Sequence, residues 1–275
     1  MSEESRGAIE VVRPPGGRRF RFVLFDFDGT LSLLREGWAD VMIPMMVEHL
    51  EALGAGLPAG RLRAMMAEDV ALTTGMPTMY QMIRFAQRVA EFGGTPLDPK
   101  AYKAEYNRRL MGHIARRREA LASGAAAPDT VLLAGARAML EALAARPLVL
   151  LLASGTDEPY VRQEARLLDV ARYFGPHVYG ALDDYEASGK KQVIERVLAA
   201  ARADGRELLV FGDGFVEITS AKGAGGYAVG VASDEASGGG RVHPWKRERL
   251  LRAGADAIVA DFAQHGPLLE LLFPA

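Results

Sequence analysis

Two carboxylates that follow an apolar segment are the first residues of this chain that could do chemistry. The segment Phe22–Phe25 reads as a buried strand, and Asp26, Asp28 and Gly29 come directly after it. Strands inside parallel sheets are near-continuous hydrophobic runs, and ligands bind just outside their carboxyl ends. Neighbouring carboxylates repel each other unless a cation joins them, and Mg²⁺ takes such oxygen ligands. The segment therefore predicts either a metal site with a potential carboxylate nucleophile or a plain acidic turn that caps a helix.

A second apolar run supplies groups that could hold an anion. Residues Leu148–Ala153 read as a strand, and Ser154, Gly155 and Thr156 follow it before a helix begins. A hydroxyl group and the backbone N–H groups at a helix start can donate hydrogen bonds to phosphoryl oxygens. The alternative is a simple helix cap.

Two later segments complete the set of charged groups. Lys190 and Lys191 begin a helical pattern, where a cation opposes the helix dipole, so a purely structural purpose is hard to find. Asp213 follows the apolar run Glu207–Phe211, and Glu217 comes four residues after it. Residues four apart on a helix face the same side, so both acids could bind one metal ion. Solvated lysines and acids that favour a helix start are the alternatives.

Taken in order, these strand ends resemble the haloacid dehalogenase superfamily of phosphotransferases. The resemblance covers Phe22 to Asp28 and Leu148 to Glu217. It implies that Asp26 is the nucleophile and that Asp28 is the general acid and base. Ser154 would hold the phosphoryl group, and Lys190 would stabilise its charge, with Lys191 as a rival for that role.

The resemblance also implies one cofactor, Mg²⁺. Its ligands would be Asp26, the main-chain carbonyl of Asp28, and Asp213, with Glu217 acting directly or through water. The family often has Asp at this last position, so the longer glutamate leaves the mode of coordination open. An acid at the position of Asp28 is typical of the family's phosphatases and phosphomutases, and the dehalogenases lack it.

Strand and helix patterns predict an α/β fold, a doubly wound parallel-sheet core of the Rossmann-like type with an inserted α-helical cap domain. We expect a flexible arm over residues 1–19, the core over residues 20–33 and 134–275, and the cap over residues 34–133. The interval from Leu31 to Ala134 has little strand signal and several amphipathic segments, which is why it reads as helical.

The cap is expected to select the substrate. Hydroxyl, amide and guanidinium groups cluster around a turn there, and they could bind a polyhydroxylated or anionic compound. An alternative is that the methionines of this segment pack inside the cap and that their polar neighbours face solvent. The expected substrate-binding residues are Thr74, Gly75, Tyr80, Gln81 and Arg84 of the cap, together with Gly155 and Thr156 of the core.

Composition limits the other classes of function. A net charge of −2 over 275 residues offers no electrostatic reason to bind nucleic acid. No apolar stretch reaches the roughly 20 residues that span a bilayer, and no hydrophobic signal segment is evident. The chain has no cysteine, which excludes disulfides and thiolate metal sites. We expect a cytoplasmic protein without membrane or nucleic-acid partners, either monomeric or homodimeric.

Within the resemblance, the expected activity is that of a magnesium-dependent phosphatase. It would hydrolyse a small phosphorylated metabolite, either a sugar phosphate or a short phosphorylated acid such as phosphoglycolate, through an aspartyl-phosphate. A sugar phosphomutase of the same superfamily and a catalytically silent metabolite-binding protein are the alternatives.

Overall fold

The computed structural model describes residues 9–182, 184, 189–237 and 239–274. Ser188, which precedes the lysine motif, and the first eight residues of the expected arm lie outside this part of the chain. Seven strands of the described residues form one sheet. They are β1 (Glu10–Val11), β2 (Phe22–Phe25), β3 (Val149–Asp157), β4 (Val178–Ala181), β5 (Leu208–Gly212), β6 (Tyr227–Val231) and β7 (Ala257–Val259).

The strand order is β1-β7-β6-β5-β2-β3-β4, so β2 lies near the middle of the sheet. It pairs in parallel with β3 on one side and β5 on the other, where Phe25 is level with Leu152 and Phe211. The strands that precede the predicted motifs are therefore direct neighbours, and their carboxyl ends meet at one edge. This confirms the α/β class with a parallel core.

The edge strand β1 differs from the sequence-based expectation of a flexible arm. It pairs antiparallel with β7, with Glu10 opposite Ile258. The side chain of Arg13 then donates to Asp256 at 2.8 Å, and Arg247 pairs with Glu10. These partners come from distant parts of the chain, which is why the local composition of the arm did not reveal them.

Helices cover both faces of the sheet and fill the predicted insertion. Among the described residues, six of them, α1 to α6, lie between β2 and β3, of which α1 to α5 fall in the predicted insertion, and the other six, α7 to α12, follow β3. Their bounds are α1 Ala39–Ala52, α2 Ala59–Thr73, α3 Thr78–Glu91, α4 Pro99–His113, α5 Ala115–Ala122, α6 Ala136–Ala144, α7 Glu158–Leu167, α8 Ala171–Phe174, α9 Lys190–Ala201, α10 Phe215–Gly223, α11 Pro244–Arg252 and α12 His265–Leu272. The exact limits of a separate cap domain stay a prediction.

The side chains of alternate β2 residues pack into two different hydrophobic cores, one on each face of the sheet, as expected for a strand that is buried on both faces. Phe22 and Leu24 pack with residues of α9, α10 and α11. Val23 and Phe25 pack on the opposite face with residues of α6, α7 and α12. The ring of Phe25 stacks on Phe211 with centroids 4.8 Å apart. The strand that delivers the two aspartates is thus immobilised from both sides.

No helix of the described residues is long and apolar enough to cross a membrane.

Gly135, directly before α6, offers a test of this packing. Its φ is +73°, and an added Cβ would overlap the backbone carbonyl of Phe262. Gly225 is a matched control because its φ is +88° and nothing lies within 4 Å of a Cβ there.

We expect Gly225→Ala to cost about 1–2 kcal/mol of unfolding free energy from conformational strain alone. Gly135→Ala should cost roughly 1–3 kcal/mol more, because the carbonyl must also shift. Urea denaturation followed by circular dichroism measures both, and equal losses would contradict the tight approach of Phe262.

Candidate active site

Asp26 lies at the carboxyl end of β2 and is 5% exposed. Its backbone N–H donates to the carbonyl of Phe211 at 2.9 Å, so the extended pairing continues through this residue. The N–H of Phe27 and the Nζ atom of Lys190 both lie 2.8 Å from Oδ1 of Asp26. The other oxygen, Oδ2, is therefore the one available for an incoming group.

Lys190, and not Lys191, is the lysine at this site. It is 4% exposed at the first residue of α9, and its Nζ also donates to Oε2 of Glu217 at 2.9 Å. The side chain of Lys191 is 67% exposed and lies 3.7 Å from Glu195. The helix begins with its first lysine turned toward the sheet edge, so the two adjacent lysines have opposite environments.

The acidic motif after β5 completes the cluster. Ligand oxygens of Asp26, Asp213 and Glu217 lie within 4.8 Å of one another. Glu217 is fully buried, and its Oε1 accepts from the backbone N–H of Gly214 at 2.5 Å. Its two oxygens are thus engaged by Gly214 and Lys190, while Asp213 contacts Lys246 at 2.8 Å. The donors are all carboxylate oxygens, a set that fits a hard divalent cation such as Mg²⁺.

Burial and neighbouring charges shift the pKa values of the central pair. Desolvation raises the pKa of Asp26 well above 3.8, and although Lys190 opposes this shift, Glu217 and Asp213 add to it. Burial alone would lower the pKa of Lys190, but Asp26 and Glu217 outweigh it and raise that pKa. The lysine therefore stays charged, and the site favours further positive charge.

Asp28 is oriented by the end of β3. Its Oδ2 accepts from the hydroxyl of Ser154 at 3.2 Å and from that of Thr156 at 3.0 Å. Oδ1 of Asp28 has no hydrogen-bond partner in the described part of the chain, and Nε of Arg35 lies 3.9 Å from it. Ser154 and Thr156 lie in the last residues of β3, where the strand is irregular and its register with β4 shifts. One oxygen of Asp28 is thus held by two hydroxyl groups, and the other is a buried acceptor without a hydrogen bond in the described chain.

A cavity of about 100 Å³ lies between this sheet edge and the cap helices. It brings together Asp26, Asp28, Ser154, Gly155, Thr156, Lys190 and Asp213 of the predicted core site with Thr74, Gly75 and Gln81 of the predicted cap site. Glu217 lies behind it, in contact with Lys190. Two predicted cap residues, Tyr80 and Arg84, are not among the lining residues. Arg84 instead pairs with Asp69 at 3.1 Å, because α3 turns this side chain toward α2.

The structure adds residues that no sequence motif indicated. Lys246 of α11 lies 2.5 Å from Glu235, and Glu235 lines the cavity beside Gly29. Arg35, Trp38, Met76, Thr78 and Tyr106 are further lining residues. Arg35 stands beside the charged side chain of Glu36 in the segment Leu31–Trp38, so no local pattern distinguished Arg35 or the other lining residues.

The cap turn between α2 and α3 packs closely on the core loops. An added Cβ at Gly155 would lie 2.7 Å from the carbonyl oxygen of Met76, and one at Gly75 would lie 3.4 Å from Cα of Gly214. Across the cavity, Lys103 of α4 forms an ion pair with Asp157. Glycine at positions 75 and 155 thus allows backbone from cap and core to approach, which covers the carboxylates.

The contrast between the two lysines is testable. Lys190→Met should destabilise the metal-free protein by about 3–5 kcal/mol, because it leaves two buried carboxylates without their cation. Lys191→Met should change stability by no more than about 0.5 kcal/mol, as for other exposed positions. Chemical denaturation in the presence of a chelator measures both. Similar effects of the two substitutions would show that the burial of Lys190 is unimportant.

The raised pKa of Asp26 predicts a pH dependence. The folded state binds the proton of Asp26 more tightly than the unfolded chain does, so this group loses stabilising free energy as pH rises above its unfolded pKa of 3.8. In a chelator, Asp26→Asn should therefore become progressively more stable than the wild type between about pH 4 and pH 7. Asp40→Asn is the control, because the side chain of Asp40 is 77% exposed. Denaturation at several pH values tests this, and a constant difference would refute the shift.

Comparisons with known proteins agree with this geometry. No curated protein matches the sequence. Similar solved structures include a predicted phosphatase from Clostridium acetobutylicum (18% identity, TM-score 0.58, 92% of this chain and 99% of that one). A second is a predicted phosphoglycolate phosphatase from Haemophilus somnus, with 16% identity and a TM-score of 0.57 over 90% of this chain and 97% of that one. A third is a candidate beta-phosphoglucomutase from Bacteroides vulgatus, with 14% identity and a TM-score of 0.59 over 92% of this chain and 89% of that one. At these identities the likeness is one of fold.

The sequence itself identifies the family. Residues 20–225, which include β2, the five cap helices and the strand ends that carry the acidic and lysine residues, match the haloacid dehalogenase-like hydrolases. The match covers about three quarters of the chain, and the site described above lies inside it apart from Glu235 and Lys246. The chain belongs to the haloacid dehalogenase-like hydrolase family.

Proposed function

We propose that this protein is a magnesium-dependent phosphatase that hydrolyses a small phosphorylated metabolite through an aspartyl-phosphate on Asp26. The observation that carries the proposal is the placement of Asp26 in the cavity, with one oxygen held by Lys190 and Phe27 and the other available for attack. Carboxylates are known nucleophiles in phosphoryl transfer, where they divide one difficult displacement into two easier ones.

In the first step, Oδ2 of Asp26 attacks phosphorus, and the bond between phosphorus and the ester oxygen breaks. Asp28 supplies a proton to the departing oxygen from Oδ1, since Oδ2 is held by Ser154 and Thr156. In the second step, Asp28 accepts a proton from water, which attacks phosphorus and breaks the bond to Asp26. Phosphate leaves, and both aspartates return to their starting states.

Mg²⁺ fits the carboxylate cluster, and we propose Asp26, Asp213 and the main-chain carbonyl of Asp28 as its protein ligands. Because both oxygens of Glu217 already accept hydrogen bonds, we propose that Glu217 acts through water and by holding Lys190. When bound, the ion would offset negative charge on the transferring phosphoryl oxygens. The formal charges support this need, since Asp26, Asp28, Asp213, Glu217 and Glu235 outnumber the two lysines of the site.

The remaining core residues would bind the phosphoryl group. Lys190 would stabilise its charge, and the hydroxyl of Ser154, which donates to Asp28 in the free protein, would turn to a phosphoryl oxygen beside the backbone N–H of Gly155. The N–H of Thr156 donates to Ser154 Oγ and would hold that hydroxyl in place. The cap residues Thr74, Gly75 and Gln81 would contact the rest of the substrate. We further propose a cytoplasmic location, which cell fractionation tests, and no nucleic-acid or membrane partner, with the protein either monomeric or homodimeric.

A phosphomutase is the second candidate, and the fold similarity to a candidate beta-phosphoglucomutase is the observation that favours it. In that reaction the phosphoryl group would pass from Asp26 to another substrate hydroxyl instead of to water. Phosphorus NMR of products from sugar phosphates separates the two, because a mutase yields isomers and a phosphatase yields inorganic phosphate.

The proposed nucleophile gives a direct test of turnover. Asp26→Asn should lower phosphate release by roughly 1,000-fold or more, because the amide is not a comparable nucleophile. Chelation with EDTA should also reduce release to background, and added Mg²⁺ should restore it. Phosphate release from a panel of sugar phosphates and short phosphorylated acids is the measurement. Asp40→Asn serves as the control on an exposed acid, and near-normal release by Asp26→Asn would refute the mechanism.

A further inference from the structure

Arg35 is the one buried cation of the described residues that lines the cavity and plays no part in the mechanism above. It lies just before α1 and is 6% exposed. Its Nε and Nη2 atoms each donate to a carboxylate oxygen of Glu164 at 2.8 Å. Glu164 lies on α7 and is fully buried, so the pair links the start of the cap to the core. The guanidinium also lies over the ring of Tyr160, 5.4 Å from its centroid.

These contacts fix the guanidinium without using all of its donors. An arginine side chain has five N–H groups, and the pair with Glu164 uses one on Nε and one on Nη2. The N–H groups of Nη1 are left for another partner, and Arg35 borders the cavity. A planar, oriented fork of this kind suits a carboxylate better than it suits a neutral hydroxyl.

The position of Arg35 relative to Asp28 defines which part of a substrate it would meet. Oδ1 of Asp28 is the oxygen without a partner in the described chain, and Nε of Arg35 is 3.9 Å from it. In the proposed mechanism, the ester oxygen of the leaving group must approach Oδ1 to receive its proton. Atoms one or two bonds beyond that ester oxygen would then lie next to Arg35.

The size and walls of the cavity restrict the leaving group further. Its volume of about 100 Å³ is well below the roughly 300 Å³ at which ordinary ligand pockets begin. Trp38 and Tyr106 add aromatic surface to its cap side, and Gln81 adds an amide. A short carbon chain with one terminal anionic group would place that group next to Arg35 within this space.

We propose that Arg35, oriented by Glu164, binds a carboxylate on the leaving group, so that the natural substrates are short phosphorylated hydroxy acids. This inference rests on the proposed phosphatase function and narrows its substrate class. Glu164 is a positioning residue in this arrangement, because it holds the guanidinium and does not touch the substrate.

Matched esters test the proposal. Phosphoglycolate carries a carboxylate where hydroxyethyl phosphate carries a neutral hydroxymethyl group, and the two are otherwise similar in size. We expect the wild type to prefer phosphoglycolate by about 10- to 100-fold in kcat/KM, the range that hydrogen bonds to a charged group provide. The double variant Arg35→Met, Glu164→Met removes both members of the buried pair, so that no unpaired charge is left to unfold the protein. It should lose this preference, mainly through a higher KM for phosphoglycolate.

Two further variants separate recognition from general damage. Glu164→Gln keeps Arg35 but weakens its orientation, and it should reduce the preference by an intermediate factor. Arg109→Met removes a cap arginine that pairs with Glu48 and Glu105, and Arg109 does not line the cavity. It should keep the wild-type preference.

The outcomes distinguish this proposal from the proposed function. Asp26-dependent release of phosphate from phosphoglycolate and hydroxyethyl phosphate with similar kcat/KM would overturn the role of Arg35 and leave the phosphatase function intact. An unchanged preference in the double variant would also overturn it. If neither ester nor any compound of the phosphate panel described above releases phosphate, both proposals are overturned.

Discussion

The central constraint on this molecule is the repulsion among carboxylates that gather at one edge of the sheet. Asp26 and Glu217 are buried, and Asp213 is within ligand distance of both. Carboxylates so close together out of water are costly unless cations join them. Lys190, inserted between Asp26 and Glu217, is the main compensation within the chain. A divalent cation would supply the rest.

The sheet makes this unfavourable arrangement possible. β2 is covered on both faces by separate cores, and it pairs with β3 and β5 along its whole length. Its carboxyl end cannot move away from its neighbours to relieve the repulsion. Apolar burial across the sheet therefore holds the acidic residues in place, and the raised pKa of Asp26 is one consequence of that confinement. Packing elsewhere in the core thus holds together acidic side chains that repel one another.

The cap changes the solvent environment of the same residues. Its turn at Gly75 and Met76 lies against the loops that follow β3 and β5, and Arg35 and Lys103 pair with Glu164 and Asp157 of the core. Closure of this kind reduces the water around the carboxylates, which strengthens each electrostatic interaction in the cavity. Arg35, Gly75 and Met76 both close the site and line the small cavity that remains.

Local sequence determined the parts of the protein that depend on short segments. Apolar runs that end in Asp26, Ser154 or Asp213 predict buried parallel strands with polar ends, and this pattern was sufficient for the α/β fold and for most of the core site. For the adjacent lysines, the spacing to Val193 and Ile194 favours Lys190 but does not decide the choice. The phase of α9 decides it, because that phase buries Lys190 and exposes Lys191.

The tertiary structure alone decided the contacts between residues that are distant along the chain. It joined Arg35 to Glu164, joined Lys246 to Asp213, and turned Arg84 away from the cavity toward Asp69. The same holds for β1, whose pairing with β7 no feature of the arm predicted. Strand and helix patterns are set by neighbours in sequence, whereas the partners of a charged side chain depend on how whole helices pack. The sequence by itself therefore determined the fold, the family and the acidic and lysine residues that meet at the sheet edge, and the packing of cap on core decided the shape of the site.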